Sequence, residues 1–396
     1  MISTMSKKIE KLIPLSEPSV SGNEWKYIKE CLDTGWVSSS GKYVDKFEEI
    51  VKSYLGTRYA VAVVNGTSAL HLALLASGVL SGDEVIVPAL TFIAPVNAVK
   101  YVNAYPVFMD ADKDTFCVDA GKTCDFLKNE CLRRQDGFLY NKKTARRIKA
   151  FIPVHIFGHP AEMDELLDIC AENKIELIED ATESLGSSYK GLKTGAFGVS
   201  GCLSFNGNKI ITTGGGGMVV TNDKYIADKV RHLSTQAKLN PFEYAHDEIG
   251  YNYRLTNIQS AMGVAQMEKL EEFITIKRKN AELYRRLLKD NPVTRDKIEF
   301  VWETKDVKSN FWFYTIKSAV SHKKPLMDFL LNANIQVRPV WQLMHTLPMY
   351  KECETYKIES ASVLYETAIN IPCSVTLKED EINYIVEKIA EYFSVK

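Results

Sequence analysis

Between residues 59 and 221 the chain alternates short β-rich runs with segments that read as helices. This alternation limits the fold more than any other feature. The runs are Tyr59–Val64, Glu84–Val87, Pro106–Asp110, Ala150–Val154, Glu176–Asp180, Val199–Phe205 and Met218–Thr221. Among the segments between them, Ser68–Ala76 is built from helix formers and stops at Gly78, and Met163–Asn173 carries leucines and an isoleucine at helical spacing after Pro160. The pattern predicts an α/β fold with a mostly parallel central sheet flanked by helices. Such sheets bind ligands beyond the carboxyl ends of their strands. From about residue 258 the character changes. Ile258–Lys279 and Ala281–Leu288 read as long amphipathic helices, and Phe311–Ile316 and Ile335–Val340 as strands. Three parts are expected: residues 1–55 packing with a small domain, a large α/β domain over 56–250, and a smaller C-terminal α+β domain over 251–396. The basic stretch Gly121–Arg147 reads as a solvated helix and loop.

The bulk numbers exclude several functions. With 396 residues, 45% of them apolar, the chain can bury a large core. Its 49 basic and 50 acidic side chains leave a net charge of −1, so charge gives no case for nucleic acid or an anionic membrane as partner. No run approaches about 18 apolar residues, so no transmembrane helix is expected, and the first ten residues lack the apolar core of a signal peptide. Eight scattered cysteines form no Cys-x-x-Cys pair, which fits free thiols in a reducing cytoplasm. The histidines show no metal-ligand spacing, and no metal is expected.

The residues that carry chemistry cluster at predicted strand ends. Asn65-Gly66-Thr67-Ser68-Ala69-Leu70 follows a strand and opens a helix. Small residues there let backbone N–H groups approach an anion at the positive end of the helix, and the Thr67 and Ser68 hydroxyls can add bonds to a phosphate; the same residues could equally form a plain N-cap. Asp180 ends an apolar strand, where a carboxylate is costly without a cation. Lys209 lies in Ser204-Phe205-Asn206-Gly207-Asn208-Lys209, ahead of four glycines, Gly214 to Gly217. A lysine on a glycine-rich loop plus a strand-end aspartate is equipment for pyridoxal 5'-phosphate: the lysine forms the Schiff base, or aldimine, and the aspartate pairs with the pyridinium nitrogen. Phe92, after the second run, is placed to stack on the ring. Neither a Walker A loop nor a Gly-x-Gly-x-x-Gly fingerprint is present.

Together these motifs resemble the fold-type I pyridoxal-phosphate transferases, and within them the DegT-like nucleotide-sugar aminotransferases. The match starts at Gly35-Trp36-Val37 and runs to Gly250-Tyr251-Asn252-Tyr253-Arg254. It implies Lys209 as the aldimine lysine and proton shuttle, and Asp180 as pyridinium partner. It implies Gly66, Thr67, Ser68 and Ser204 around the phosphate, and Glu183 near the cofactor's 3-oxygen. It implies that Asn252 reaches the phosphate of a neighbouring subunit, making a homodimer with shared active sites. Trp36, Arg254 and His345 are expected near the substrate's nucleotide. The implied reaction is a ping-pong transamination from glutamate to a nucleotide-linked keto sugar. Ile13-Pro14-Leu15-Ser16-Glu17-Pro18, the Ser204-Phe205-Asn206-Gly207-Asn208-Lys209 loop and Trp341-Gln342-Leu343-Met344-His345 resemble the subgroup acting on C4 of a UDP-2-acetamido-4-keto-6-deoxyhexose, on the route to legionaminic acid or bacillosamine. A GDP-4-keto-6-deoxymannose 4-aminotransferase of perosamine type is the alternative. Related dehydratases carry histidine at the lysine position, so Lys209 argues against them. A desulfurase-like lyase needs a loop cysteine, and a cofactor-binding regulator usually brings a basic DNA-binding domain; neither is evident.

Overall fold

The computed structural model describes residues 11–240 and 242–394; the first ten residues of the predicted N-terminal part therefore lie outside the described residues. Its centre is an eight-stranded sheet. The spatial order is Tyr59–Val63, Gly217–Thr221, Ser200–Ser204, Glu176–Asp180, Ile148–Phe151, Glu84–Pro88, Tyr105–Met109 and Glu354–Tyr356. Gly217–Thr221 runs antiparallel to both neighbours, and every other pairing is parallel. All seven expected strands are present, shifted by at most three residues at either end. They read as apolar runs because helices cover both faces of a parallel sheet. One face packs on the Gly66–Ala76 and Ile93–Tyr101 helices. The other packs on the Glu24–Thr34, Lys42–Leu55 and Asn257–Met267 helices.

A four-stranded sheet, Glu299–Phe300, Tyr314–Lys317, Ala368–Ile371 and Arg338–Pro339, forms a second centre. Residues 13–17 join it: Ile13 bridges to Ile335, the Cys373 N–H donates to the Leu15 carbonyl at 2.8 Å, and the Glu17 N–H to Ser374 Oγ at 3.0 Å. The next helices go elsewhere. Glu48 of the Lys42–Leu55 helix accepts the Ala62 N–H at 2.9 Å, and Phe47 packs on Phe205 with centroids 4.9 Å apart.

Three local expectations change, and one strand was not foreseen. The predicted Ile258–Lys279 helix is two, Asn257–Met267 and Leu270–Asp290, and the second absorbs 281–288. At the break, Glu268 accepts bonds from Asn23 (2.7 Å) and Tyr27 (2.6 Å), tying the first helix to the N-terminal region. The strand expected at Phe311–Ile316 begins only at Tyr314, because Phe311 has φ 49° and cannot extend. Gly121–Arg147 is a helix, Ala120–Asn129, followed by a hairpin of Cys131–Arg133 and Leu139–Asn141, with Arg147 paired to Asp83 at 2.6 Å. Finally, Glu354–Tyr356 joins the large sheet from the C-terminal part. It is a short polar strand that no hydrophobic run announces. All eight cysteines are free thiols.

Candidate active site

The sheet register brings three strand ends to one level. Gly217 lies opposite both Val63 and Ser204, and Cys202 opposite Asp180. Glycine at 217 is required by close approach: a Cβ there would meet the Asn65 carbonyl carbon and oxygen at 2.4 Å. A Cβ on Gly66 would meet the Ser204 Cβ at 2.9 Å and the Thr182 Cγ2 at 3.1 Å. Gly66, Ser204 and Thr182 thus form a cradle from which side-chain bulk is excluded.

The cradle opens on the N-terminus of the Gly66–Ala76 helix. Its cap is Asn65, whose Oδ1 accepts the Ser68 N–H at 2.8 Å; neither Thr67 nor Ser68 caps the helix. The N–H groups of Gly66 and Thr67 have no partner within the helix, as at any helix N-terminus, and are free to bind an anion. This fits a phosphate.

Two consecutive acids end the Glu176–Asp180 strand and serve different ends. Glu179 accepts backbone N–H groups from Gly195 (2.7 Å), Phe197 (2.6 Å) and Gly198 (2.9 Å), and lies 3.0 Å from His155 Nε2. It is a buried structural anchor. Asp180 is as buried, with Oδ1 accepting the Thr182 N–H at 3.1 Å. Burial raises its pKa, and the Thr182 bonds and the Lys209 charge only partly offset that. A carboxylate in this position is completed by a fixed cation.

Lys209 supplies the amine. Its Nζ is 3.7 Å from Glu183 Oε1 and 3.9 Å from the centroid of the Trp312 ring. Burial lowers the lysine pKa, opposed by the charges of Glu183 and Asp180. Burial pushes the Glu183 carboxyl up to about 7, although the Lys209 charge and the Phe157 N–H (2.7 Å to Oε2) pull it down. The two titrations move toward each other, so the proton between them belongs to the pair. Phe92 stands at the start of the Ile93–Tyr101 helix, 49% exposed, with its ring T-shaped to Trp341 at a centroid distance of 5.3 Å. A half-exposed aromatic at this helix start leaves ring surface for stacking. The buried acid, the amine and the glycine-lined cradle all fit pyridoxal phosphate.

The other expected residues lie outside this cluster. Asn252 is exposed, on a segment whose Tyr253 carbonyl accepts the Val64 N–H at 2.9 Å, one residue before the phosphate loop. Arg254, expected near the nucleotide, is partly engaged within the chain. Its Nη1 donates to Glu48 at 3.1 Å, and Glu48 also holds Arg231 at 2.8 Å, so one carboxylate is shared by two guanidinium groups. Trp36, 57% exposed, borders a separate cavity of about 450 Å³ with Tyr43, Lys42 and Asn257. His345 has a buried Nδ1 without a partner and packs 6.5 Å from Phe108. The narrow crevice at Lys209 is lined instead by Glu17, Asn208, Lys277, Trp312 and Cys373. The sequence reading missed His155, Thr182, Trp312 and Trp341. His155 follows a predicted strand end as Asp180 ends one, so the same rule finds it; Trp312 and Trp341 arrive from a distant part of the chain with no local signal.

A buried amine between strand-end acids, beside an anion cradle on this sheet, defines a fold-type I pyridoxal-phosphate enzyme. The chain belongs to the DegT/DnrJ/EryC1/StrS aminotransferase family, whose model matches residues 18–390. It is 40% identical to GDP-perosamine synthase of Escherichia coli O157:H7, over 98% of this chain and all of that one. It is 39% identical to GDP-perosamine synthase of Vibrio cholerae, over 97% of this chain and all of that one. Among solved structures it matches Helicobacter pylori PseC, an aminotransferase of pseudoaminic acid biosynthesis, with TM-score 0.86 and 26% identity over 98% and 100% of the chains. The protein is a pyridoxal-phosphate-dependent sugar aminotransferase.

Proposed function

We propose that this enzyme transfers an amino group from glutamate to C4 of GDP-4-keto-6-deoxymannose, forming a perosamine-type sugar. The observation that carries this reading is the near-full-length identity of 40% and 39% to two GDP-perosamine synthases. It favours the GDP alternative over the UDP-2-acetamido reading drawn from the N-terminal, 204–209 and 341–345 motifs. The balanced net charge and free thiols accord with a cytoplasmic setting. No helix among the described residues is long and apolar enough to cross a membrane.

When bound, pyridoxal phosphate supplies an electron sink and a carrier for the amino group. The chain's residues do the rest. Gly66, Thr67, Ser68 and Ser204 hold the phosphate at the helix N-terminus. Asp180 keeps a proton on the ring nitrogen. Phe92 covers one ring face. The Lys209 amine removes the proton from Cα of glutamate, and in the second half-reaction delivers a proton to C4 of the sugar. Glu183 accepts or returns a proton beside it.

The test is incubation with glutamate and a panel of GDP- and UDP-linked 4-keto-6-deoxy sugars, read by mass spectrometry. The GDP-linked ketone should be aminated with kcat/KM at least roughly 10²-fold above the UDP-2-acetamido ketone, since even a small misfit in a shaped pocket is discriminated by about that much. Faster amination of the UDP sugar would restore the other reading. We also place Asn252 in the partner's site of a homodimer. Lys209→Ala and Asn252→Ala subunits, each inactive alone, should then regain up to roughly a quarter of wild-type activity when mixed and reassembled, since about half the dimers are mixed and each carries one intact site. Absence of any recovery would mean that each chain builds its site alone.

A further inference from the structure

Trp312 is fixed against Lys209 from several directions. It is 2% exposed and its ring stacks on Phe313, with centroids 4.0 Å apart and planes 14° apart. Its Nε1 donates to the Asn208 carbonyl at 2.7 Å, one residue before the lysine. Its backbone N–H donates to Asn310 Oδ1 at 2.8 Å. The same Asn310 donates from Nδ2 to the carbonyls of Glu183 (3.1 Å) and Leu185 (3.0 Å). One asparagine therefore sets the indole and the Glu183 turn relative to each other. On the far side of the carboxylate, Phe157 donates its N–H to Glu183 while held at φ 57°, a strained conformation for an aromatic residue. The lysine head thus sits between a rigid π face and a rigid carboxylate. The other charged groups facing it are Asp180 and, across the crevice, Glu17 and Lys277, whose own Nζ is committed to the Cys373 carbonyl at 2.5 Å.

We propose that Trp312 and Glu183 form a holding site for the Lys209 ε-amine during the part of transamination when that amine is not bonded to the cofactor. Trp312 is the positioning residue: its face receives the ammonium. Glu183 is the proton partner. An N–H bond of the ammonium breaks as an O–H bond forms on Oε1, leaving a neutral amine able to act as base, with no change in electron count. The reverse transfer recharges the amine and returns it to the indole. This rests on the reading of Lys209 as the cofactor lysine.

The experiment uses holoenzyme converted by excess glutamate to the form in which Lys209 is free. Acetic anhydride is applied across a pH series and acetylation of Lys209 is followed by peptide mass spectrometry. Only the neutral amine reacts, so the midpoint of the profile reports its pKa. A group that stabilises the cation raises that midpoint, and its removal lowers it. Trp312→Leu should lower the midpoint by roughly half to one pH unit, and Trp312→Phe by less. Fluorinated tryptophan, incorporated throughout the chain, keeps the shape and depletes the π face. The midpoint should then fall further with each added fluorine, which decides the matter even if Trp312→Leu does not fold. Glu183→Gln should also lower it. An unchanged or raised midpoint with fluorinated tryptophan overturns the holding site. Borohydride labelling of the same untreated preparations separates the two ideas: a cofactor tag on Lys209 with an unmoved midpoint removes only the holding site, whereas a tag elsewhere removes the reading beneath it.

Discussion

Lys209→Ala should lose the visible absorbance of covalently bound cofactor and at least about 10⁴-fold in transamination rate. The substitution removes both the covalent attachment and the base that moves the Cα proton, and a positioned acid–base group alone contributes about 10²–10⁴-fold. A neighbouring lysine does not take over. Lys277 lines the same crevice, but its buried Nζ is bonded to the Cys373 carbonyl. The fold should survive, since the Lys209 side chain contributes one 3.7 Å ion pair and one ring contact, while Trp312 keeps its bond to Asn208. Adding a small primary amine such as ethylamine should restore part of the rate, because the missing function is a proton carrier of that size. Steady-state assays with and without the amine check this. A variant that turns over within tenfold of wild type would take Lys209 out of the reaction.

Asp180→Asn should bind the cofactor and turn over roughly 10²- to 10³-fold less well. Asparagine keeps the size of the side chain and an oxygen for the Thr182 N–H. It removes only the charge, and leaving a buried cation without its counter-charge costs about 3–5 kcal/mol. The cofactor-free protein should respond in the opposite sense. The folded pKa of Asp180 is raised by burial, so ionising it costs folding energy as pH rises above its ordinary value of 3.8. Replacing it with a neutral side chain removes that cost. The cofactor-free variant should therefore melt no lower than wild type at neutral pH, and the difference should vanish below the ordinary carboxylate range. Thermal melts of cofactor-free protein at two pH values, with cofactor titration, separate the two effects. Lower stability without cofactor would show that Asp180 is satisfied within the chain and needs no cation.

The large sheet was legible because each of its main strands is buried on both faces and so reads as an apolar run. The same logic placed Asp180, Ser204 and Gly66 at one edge, since ligand-bearing residues in such sheets follow the strand ends. Periodicity could not see the Glu354–Tyr356 strand, which is short and polar and has no core of its own. Nor could it see the break at Glu268, where bonds from Asn23 and Tyr27 decide the geometry. The site was legible where its residues sit on the sheet and obscure where they come from the loop before the small sheet. Phe311–Ile316 is apolar enough to read as a strand. Yet 309–312 is a loop, held by Asn310 and the positive φ of Phe311, and this delivers Trp312 to the lysine. Arg254 shows what a motif match cannot see: it marked the residue as lying near the nucleotide, and the structure adds an ion pair to Glu48, which Arg231 shares.

The most direct measurement is borohydride reduction of the resting holoenzyme followed by peptide mapping. A single phosphopyridoxyl group on the Lys209 peptide is the expected result. A tag on another lysine, such as Lys277, or a protein that takes up no such group, would contradict the assignment on which the mechanism stands.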